Sequence, residues 1–317
     1  MPCSYSNQNY MNISLTKKNK IKIIITDSGL GGLSVHALLD KHLRSLQSNH
    51  HVELVFFNAL VSHDLGYNTM KSTKQKLKVF NNAIKGMLKL EPDIILIACN
   101  TLSVLYPLTE ISKEITIPVI SIIDLGIQMI LENISDVSES QVIIFGTGTT
   151  IKSGVYEQQL LKHSFTENQI ISQACENLES EIQIDPKSKE VYKLIEKCVN
   201  ESFRKINRGT KEVIVVLACT HYGYSKSIFE EKLSERFGKK IKLLNPNEKM
   251  GKIVEVENLR NESRSIKITN KVISRVDVSP TEMQNLNLLL AKDSKAVVTA
   301  LENYILDKNL FKEYFEE

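Results

Sequence analysis

The sequence has no run of apolar residues approaching the ~18 to 20 that a membrane-spanning helix needs. It also has no C-x-x-C pair. Its five cysteines are widely spaced, which argues against a zinc site or a disulfide framework. Neither charge is in large excess, because 40 Lys and Arg face 37 Asp and Glu, for a net charge of +3. The basic residues are spread among acidic ones, so we expect neither a membrane nor a nucleic-acid partner.

The N-terminal segment, residues 1–20, also lacks the apolar h-region of a secretory signal. It reads "MPCSYSNQNYMNISLTKKNK" and is polar throughout. We therefore expect residues 1–20 to be a disordered polar extension. We expect the protein to be cytoplasmic, where its cysteines would remain free thiols.

Short apolar runs rich in Ile and Val alternate with longer segments of helical periodicity. The runs lie at 21–26, 52–57, 93–98, 117–123, 141–146, 168–172, 213–218 and 241–245. Helical periodicity is present at 70–90, 101–115, 152–163, 188–206 and 226–237. The apolar runs are continuous rather than alternating, as is typical of parallel strands that are buried on both faces. The pattern predicts an α/β fold with parallel sheets.

Beyond about residue 255 the alternation weakens. A candidate strand lies at 267–276, and a helical pattern follows over "SPTEMQNLNLLL". Ser279 is expected to cap this helix, with Pro280 at its first position.

Polar signatures follow four of the predicted strands. They are "DSGLGG" (27–32), "CNT" (99–101), "GTGTT" (146–150) and "CTH" (219–221). Ligands of parallel α/β sheets bind at the carboxyl ends of the strands. Two strands of matching character each end in Ala-Cys, which suggests two similar α/β halves that face each other. Each half would then contribute one thiol to a shared cleft.

Cys99 and Cys219 each precede polar residues that could cap a helix. Because a helix N-terminus favours a thiolate, we expect a lowered pKa for both thiols. Asn100, Thr101 and Thr220 are candidate caps whose N–H groups could also hold a carboxylate. Two opposed thiols suit the inversion of a carbon acid: one thiolate removes a proton from one face and the other thiol delivers a proton to the opposite face.

Other uses of the cysteines are less convincing. A Cys–His nucleophile would require His221 to reach a thiol only two positions away. A redox disulfide would require Cα atoms within ~7 Å, which leaves no room for a substrate. For Cys3, Cys175 and Cys198 we expect the ordinary role of a small buried hydrophobe.

Four segments resemble the signature blocks of glutamate racemases, which belong to the aspartate/glutamate racemase superfamily. They are "TDSGLGGLSV", "ACNTLS", "GTGTTIKSGVY" and "ACTHYGYS", within residues 21–250. The resemblance implies two pseudo-symmetric parallel-sheet domains with the active site in the cleft between them. Domain 1 would comprise residues 21–122 and 226–317, and domain 2 residues 123–225. It also implies a cofactor-independent homodimer that supplies D-glutamate for peptidoglycan synthesis, and thereby for cell wall biogenesis and cell shape.

The resemblance also implies roles for individual residues. Cys99 and Cys219 would be the acid–base thiols, assisted by Asp27 and His221. The residues implied to bind substrate are Asp27, Ser28, Gly66, Tyr67, Asn100, Thr101, Thr150, Thr220 and His221. The implied substrate is a small acidic amino acid, with no metal and no cofactor.

Two regions depart from the family pattern. The usual Pro-Tyr-Gly element is replaced within 62–68, where either Asp64-Leu65-Gly66 or Gly66-Tyr67-Asn68 could correspond to it. Asp64 would point either to solvent or into the cleft. No proline follows Cys175, and Glu179 or Glu181 could stand in for a downstream glutamate.

These departures leave two alternatives open. The first is a racemase of another acidic amino acid, such as aspartate. The second is a catalytically silent binding or regulatory relative. Retention of both thiols, Asp27 and His221 argues against the silent relative, because binding alone has no chemical need for two reactive cysteines.

Overall fold

The computed structural model describes residues 13–14, 18–237, 241–255 and 265–311. The strands are β1 (Ile13–Ser14), β2 (Lys20–Asp27), β3 (His51–Asn58), β4 (Ile94–Ile97), β5 (Val119–Ser121), β6 (Ser140–Gly146), β7 (Ile170–Ala174), β8 (Glu212–Ala218), β9 (Ile241–Leu244), β10 (Val254–Glu255), β11 (Lys267–Ser274) and β12 (Ile305–Leu306). The α-helices are α1 (Leu33–Arg44), α2 (Thr73–Leu88), α3 (Asn100–Leu105), α4 (Ile122–Asn133), α5 (Gly148–Lys152), α6 (Val155–Leu161), α7 (Leu178–Ile184), α8 (Lys189–Phe203), α9 (Lys226–Phe237), α10 (Pro246–Met250), α11 (Pro280–Leu290) and α12 (Lys295–Glu302).

These strands form two main parallel sheets. The first has six strands in the order β12-β11-β3-β2-β4-β5, and the second has four in the order β7-β6-β8-β9. The predicted α/β fold with parallel sheets is therefore confirmed. In β2, Ile23 and Ile25 pack into one hydrophobic cluster while Ile24 packs into another. Both faces of the strand are buried, which explains why the apolar runs do not alternate.

Two predicted helices are interrupted in the structure. The segment 101–115 forms α3 only as far as Leu105 and then continues as short 3-10 turns. Pro107 lies just beyond α3, where its ring and its missing N–H oppose continuation of an α-helix. The segment 152–163 is divided between α5 and α6 at Gly154, whose φ of 65° lies in the left-handed region.

The C-terminal elements agree with their sequence pattern. Ser279 caps α11, and its reciprocal hydrogen bonds with Glu282 form a capping box. The strand predicted at 267–276 is β11, which pairs with β3 and with β12. This part of the chain therefore extends the first sheet.

The expected return of the chain to domain 1 at residue 226 is too early. Strand β9 pairs with β8 in the second sheet. Helix α9 buries Ile228, Phe229 and Leu233 in the hydrophobic cluster that covers that sheet. These apolar side chains are stabilised by the nearest sheet face, so the chain rejoins the first hydrophobic cluster only at Met250 and Ile253.

The prediction of a disordered extension over 1–20 is wrong for part of that segment. Ile13–Ser14 pairs with Val254–Glu255 as a short parallel ladder. Lys18 forms an ion pair with Asp93 at 2.5 Å. Residues 1–12 and 15–17 lie outside the described residues. In the part of the chain that the structure describes, no helix combines the length and apolar character needed to cross a membrane.

Candidate active site

The carboxyl ends of paired strands bring the four polar signatures together. Thr26 pairs with Ile97 in the first sheet, so the residues that follow β2 and β4 lie at the same edge. Gly146 pairs with Ala218 in the second sheet, so the residues that follow β6 and β8 also lie at one edge. Residues from all four signatures line one cleft of about 1010 Å³. Cys99 and Cys219 both line this cleft, one at the end of a strand from each sheet.

Cys99 is held at the start of α3 as the N-cap residue. It is 5% exposed, and its Sγ accepts a hydrogen bond from the Leu102 N–H at 3.5 Å. The hydroxyl of Ser28 lies 3.1 Å from the same sulfur. The thiol is therefore held by one backbone N–H and one hydroxyl, both of which can stabilise a thiolate.

Cys219 follows β8 and precedes a 3-10 segment over Thr220–Ser225. It is 6% exposed, and its Sγ lies 3.9 Å from Nδ1 of His221. An imidazole nitrogen at this distance can exchange a proton with the thiol. The two thiols thus have different partners, a hydroxyl for Cys99 and an imidazole for Cys219.

The expected lowering of the thiol pKa values is wrong in this structure. Burial raises the pKa of Cys99, and the negative charge of Asp27 raises it further. Burial also raises the pKa of Cys219, with a further contribution from Glu179. The strand-to-helix position does supply N–H groups, but loss of hydration and nearby carboxylates outweigh them. Both thiols are therefore neutral at neutral pH.

Asp27 connects the two sheets. It is completely buried and accepts hydrogen bonds from the Ser28 N–H at 2.6 Å and from the Thr220 hydroxyl at 2.7 Å. Thr220 follows β8, whereas Asp27 ends β2. The carboxylate thus aligns the residues beside Cys99 with those beside Cys219.

His221 has a partner that the sequence patterns did not reveal. Oε1 of Gln183 lies 3.0 Å from Nε2 of His221. Of the two glutamates considered from the sequence, Glu179 lines the cleft and accepts from Asn68 at 2.8 Å, whereas Glu181 does not line it. Burial raises the pKa of Glu179. A glutamine has no titratable group, so Gln183 carries no sequence signal of acid–base chemistry.

Asn100 offers a donor to the cleft. Its Oδ1 accepts from the hydroxyl of Tyr156 at 2.8 Å, while its buried Nδ2 has no hydrogen-bond partner among the described residues. Because an unpaired buried amide is costly, this donor favours an incoming acceptor such as a carboxylate.

A chain of threonine hydroxyls lies nearby. Thr101 and Thr147 are 3.1 Å apart, and Thr147 and Thr150 are 3.2 Å apart. Of the residues predicted to bind substrate, Thr150 is the one that does not line the cleft. Thr147 and Thr149 line it instead, and Thr150 contacts the cleft residue Thr147.

The 62–68 loop contributes Gly66, Tyr67 and Asn68 to the cleft wall. Asp64 and Leu65 do not line the cleft, and Asp64 is exposed. This placement favours the correspondence of Gly66-Tyr67-Asn68, rather than Asp64-Leu65-Gly66, with the family's Pro-Tyr-Gly element. Asp64 therefore points to solvent and is not expected to repel an anionic substrate.

Three lysines that were not predicted from the sequence also line the cleft: Lys71, Lys76 and Lys152. Nζ of Lys76 donates to the hydroxyl of Thr149 at 2.9 Å. This hydrogen bond joins helix α2 to helix α5. Burial lowers the pKa of Lys76, and the nearby charge of Lys152 lowers it further. Among the described residues, Lys76 forms no ion pair with a carboxylate. The cleft therefore presents a partly buried cation to an anionic group.

Sequence comparisons place this arrangement among known enzymes. A family model described as Asp/Glu/Hydantoin racemase matches residues 25–248. A glutamate racemase of Aquifex aeolicus is 30% identical over 205 residues, which cover 64% of this chain and 71% of that protein. A glutamate racemase of Campylobacter jejuni is 26% identical over 227 residues, which cover 71% of this chain and 80% of that protein.

Structural comparison gives the same fold. The crystal structure of a glutamate racemase isoform from Bacillus anthracis superposes with a TM-score of 0.65 at 16% identity, covering 87% of this chain and 95% of that one. The crystal structure of the glutamate racemase from Campylobacter jejuni superposes with a TM-score of 0.63 at 23% identity, covering 85% of this chain and 98% of that one. The arrangement of two parallel sheets is thus shared with these enzymes.

Proposed function

The chain belongs to the Asp/Glu/hydantoin racemase family and is an isomerase, and from this premise we propose that it interconverts L- and D-glutamate. The observation that carries the proposal is the pair of buried thiols, Cys99 and Cys219, that line one cleft from the ends of strands in different sheets. Two opposed thiols provide the base and the acid that inversion at Cα requires, and no cofactor takes part in the chemistry.

Substrate binding itself favours formation of the reactive thiolate. The carboxylates of Asp27 and Glu179 raise the pKa of the thiols in this structure. An α-ammonium group in the cleft offsets those negative charges, so its arrival lowers the pKa of both thiols. The enzyme would thus hold neutral thiols until an amino acid binds.

The chemistry then follows in two proton transfers. In one direction, His221 accepts the proton of Cys219, and the resulting thiolate removes the α-proton of the substrate. The electron pair of the broken C–H bond is delocalised into the α-carboxyl group. Cys99 donates its proton to the opposite face of Cα, which inverts the stereocentre and leaves Cys99 as the thiolate. The reverse direction uses the same groups with their roles exchanged.

The polar groups of the cleft suit an amino diacid. Asn100 Nδ2 is a donor available to the α-carboxylate, with Thr101 and Thr220 beside the two thiols. Lys76 and Lys152 supply positive charge for a second carboxylate. The preference for glutamate over aspartate rests on the names of the relatives at 26% and 30% identity.

Purified protein is expected to incorporate deuterium at Cα of L-glutamate in D₂O and to form D-glutamate. Activity should persist without pyridoxal phosphate and in the presence of a chelator, because the side chains of the cleft carry out both proton transfers. Exchange is followed by NMR and configuration by chiral chromatography, with L-aspartate as the competing substrate. If neither amino acid exchanged its α-proton, the result would support the alternative of a catalytically silent binding relative. If aspartate were turned over faster than glutamate, aspartate would be the preferred substrate.

Replacing Lys76 with methionine is expected to raise KM for L-glutamate by about tenfold or more, because a charge-assisted hydrogen bond contributes ~1.5 to 3 kcal/mol. The value of kcat should change little, because a contact with the second carboxylate binds the ground state and the transition state alike. The matched control is Lys74→Met, an exposed lysine of the same helix that does not line the cleft. An unchanged KM in Lys76→Met would remove this lysine from the substrate site.

We further propose the cellular setting that this activity implies. The protein would act in the cytoplasm as a homodimer and supply D-glutamate for peptidoglycan synthesis, and so contribute to cell wall biogenesis and cell shape. The family resemblance supports this setting. Depletion of the protein in its host should cause a growth defect that added D-glutamate relieves.

A further inference from the structure

A series of hydrogen bonds connects helix α11 with His221. Oε2 of Glu282 accepts from the N–H of Ser279 at 3.0 Å and from its hydroxyl at 2.6 Å. Oε1 of Glu282 accepts from Nε2 of Gln183 at 2.6 Å. Oε1 of Gln183 in turn lies 3.0 Å from Nε2 of His221. Glu282 lies outside the residues 25–248 that match the family model.

The orientation of the Gln183 amide is determined by both of its neighbours. An ionised carboxylate presents only acceptors, so the side of the amide facing Glu282 must be the NH₂ group. The N–H of Leu30, which can only donate, lies 3.4 Å from the other end of the amide. Both contacts therefore place Oε1 of Gln183 toward His221.

This orientation selects one tautomer of His221. Since Oε1 of Gln183 can only accept, Nε2 of His221 must carry the proton, and Nδ1 is left with its lone pair. It is Nδ1 that lies 3.9 Å from Sγ of Cys219. Burial lowers the pKa of His221, which keeps the ring neutral and able to accept a proton.

We propose that Gln183 and Glu282 are positioning residues that hold His221 in the Nε2–H tautomer, so that Nδ1 accepts the proton of Cys219. The role rests on the proposed racemase function and concerns one of its two thiols only. Cys99 is in contact with Ser28 and has no imidazole partner among the described residues. A change in the hydrogen bonds that connect α11 with His221 should therefore impair proton removal by Cys219 and leave proton removal by Cys99 unaffected.

The variant Glu282→Gln reverses the donor–acceptor direction of these hydrogen bonds without removing them. A glutamine at 282 can still accept from Ser279 through its oxygen, and it is a usual residue at this position of a capping box. Its NH₂ group then faces Gln183. The Gln183 amide turns its oxygen toward position 282 and gives up the longer, 3.4 Å hydrogen bond from the Leu30 N–H. The NH₂ group of Gln183 would face Nε2 of His221, and the imidazole proton would move to Nδ1, toward the thiol.

The double variant Gln183→Glu/Glu282→Gln should restore the original direction of the hydrogen bond between residue 183 and His221. The carboxylate at 183 accepts from Nε2 of His221, and the glutamine at 282 donates to that carboxylate. The matched control is Glu302→Gln, the same substitution at an exposed residue of α12 that accepts a hydrogen bond from Asn287 at 2.9 Å.

The tautomer is measured directly from the imidazole ¹⁵N chemical shifts of histidine-labelled protein. Comparison with a His221→Ala variant assigns the signal among the seven histidines. We expect Nε2–H in the wild type, Nδ1–H in Glu282→Gln, and Nε2–H again in the double variant and in Glu302→Gln. A Glu282→Gln protein that keeps Nε2–H would overturn the proposal, whatever its activity.

The catalytic consequence is measured with the two enantiomers of a single diastereomer of 3-chloroglutamate. A single base removes Cα–H, the electron pair forms the Cα–Cβ double bond, and chloride leaves. The resulting enamine tautomerises to the imine, which water hydrolyses to 2-oxoglutarate and ammonium. The enantiomer that depends on Cys219 is the one whose elimination is lost in Cys219→Ser.

For that enantiomer, Glu282→Gln should reduce elimination by about 100-fold or more. The ~10⁴-fold cost of a wrong tautomer in a comparable catalytic histidine sets the upper limit. Elimination from the other enantiomer should stay within about twofold of the wild type, and the double variant should recover most of the loss. Equal losses for both enantiomers would indicate a structural role and overturn the proposal. A wild type that neither racemises glutamate nor eliminates chloride would reject the proposed function instead, and the ¹⁵N measurement would still decide the tautomer.

Discussion

Replacing either Cys99 or Cys219 with serine is expected to reduce racemisation of glutamate by about 10³-fold or more. A serine hydroxyl is far too weak an acid–base group at neutral pH to exchange a proton with a carbon acid, and each proton transfer needs its own group. Both side chains are at least nine-tenths buried and line the cleft, so the isosteric replacement leaves the packing nearly unchanged. Racemisation is measured as kcat/KM in each direction.

The two variants should differ in which single-base reaction survives. Cys99→Ser retains the base on one face and Cys219→Ser the base on the other, so each should still eliminate chloride from one enantiomer of 3-chloroglutamate. The control is Cys198→Ser, a buried cysteine that does not line the cleft and should racemise glutamate normally. If both cleft variants retained elimination from the same enantiomer, the thiols could not serve opposite faces.

Replacing Gly31 with alanine is expected to lower kcat/KM by about 100-fold, although the residue contacts no thiol. A Cβ at this position would lie 2.5 Å from the hydroxyl of Thr220 and 2.7 Å from Nδ1 of His221. Both are buried and connected to partners, Thr220 to Asp27 and His221 to Gln183, so neither can move aside without breaking a hydrogen bond. Displacement of a catalytic group by ~1 Å is enough for a loss of this size.

The measurement that separates displacement from unfolding is the thermal midpoint of the Gly31→Ala protein. We expect elimination to fall for the enantiomer that depends on Cys219, because Nδ1 of His221 is displaced from its sulfur. Activity within threefold of the wild type, in a protein of unchanged midpoint, would contradict the close packing of this turn against His221.

Sequence patterns predicted the fold and the contents of the cleft well. Each apolar run contains a strand. The strands in 93–98 and 213–218 are buried at nearly every position, as expected for strands covered on both faces. The polar residues after those runs meet because parallel strands end at the same edge of a sheet. Local signals of this kind also identified Ser279 as the cap of α11.

Other features could not be predicted, because they depend on residues that are far apart in the chain. The direction of the thiol pKa shifts depends on burial and on the carboxylates of Asp27 and Glu179, neither of which lies beside its thiol in the sequence. The sheet that β9 joins depends on which strand has a free edge to pair with. In this structure that strand is β8 of the second sheet.

The sequence alone was sufficient to single out the two thiols, Asp27 and His221 as candidates, since each lies in a local motif whose chemistry can be recognised from its neighbours. Only the tertiary structure identified Gln183, Glu282 and Lys76. An amide, a helix-capping carboxylate and a surface-like lysine have no distinctive local pattern. The roles proposed for them come from what they touch: Gln183 lies between Glu282 and His221, and Lys76 reaches Thr149. Those distances are set by the packing of α7, α11 and α2 around the cleft, which no local pattern encodes.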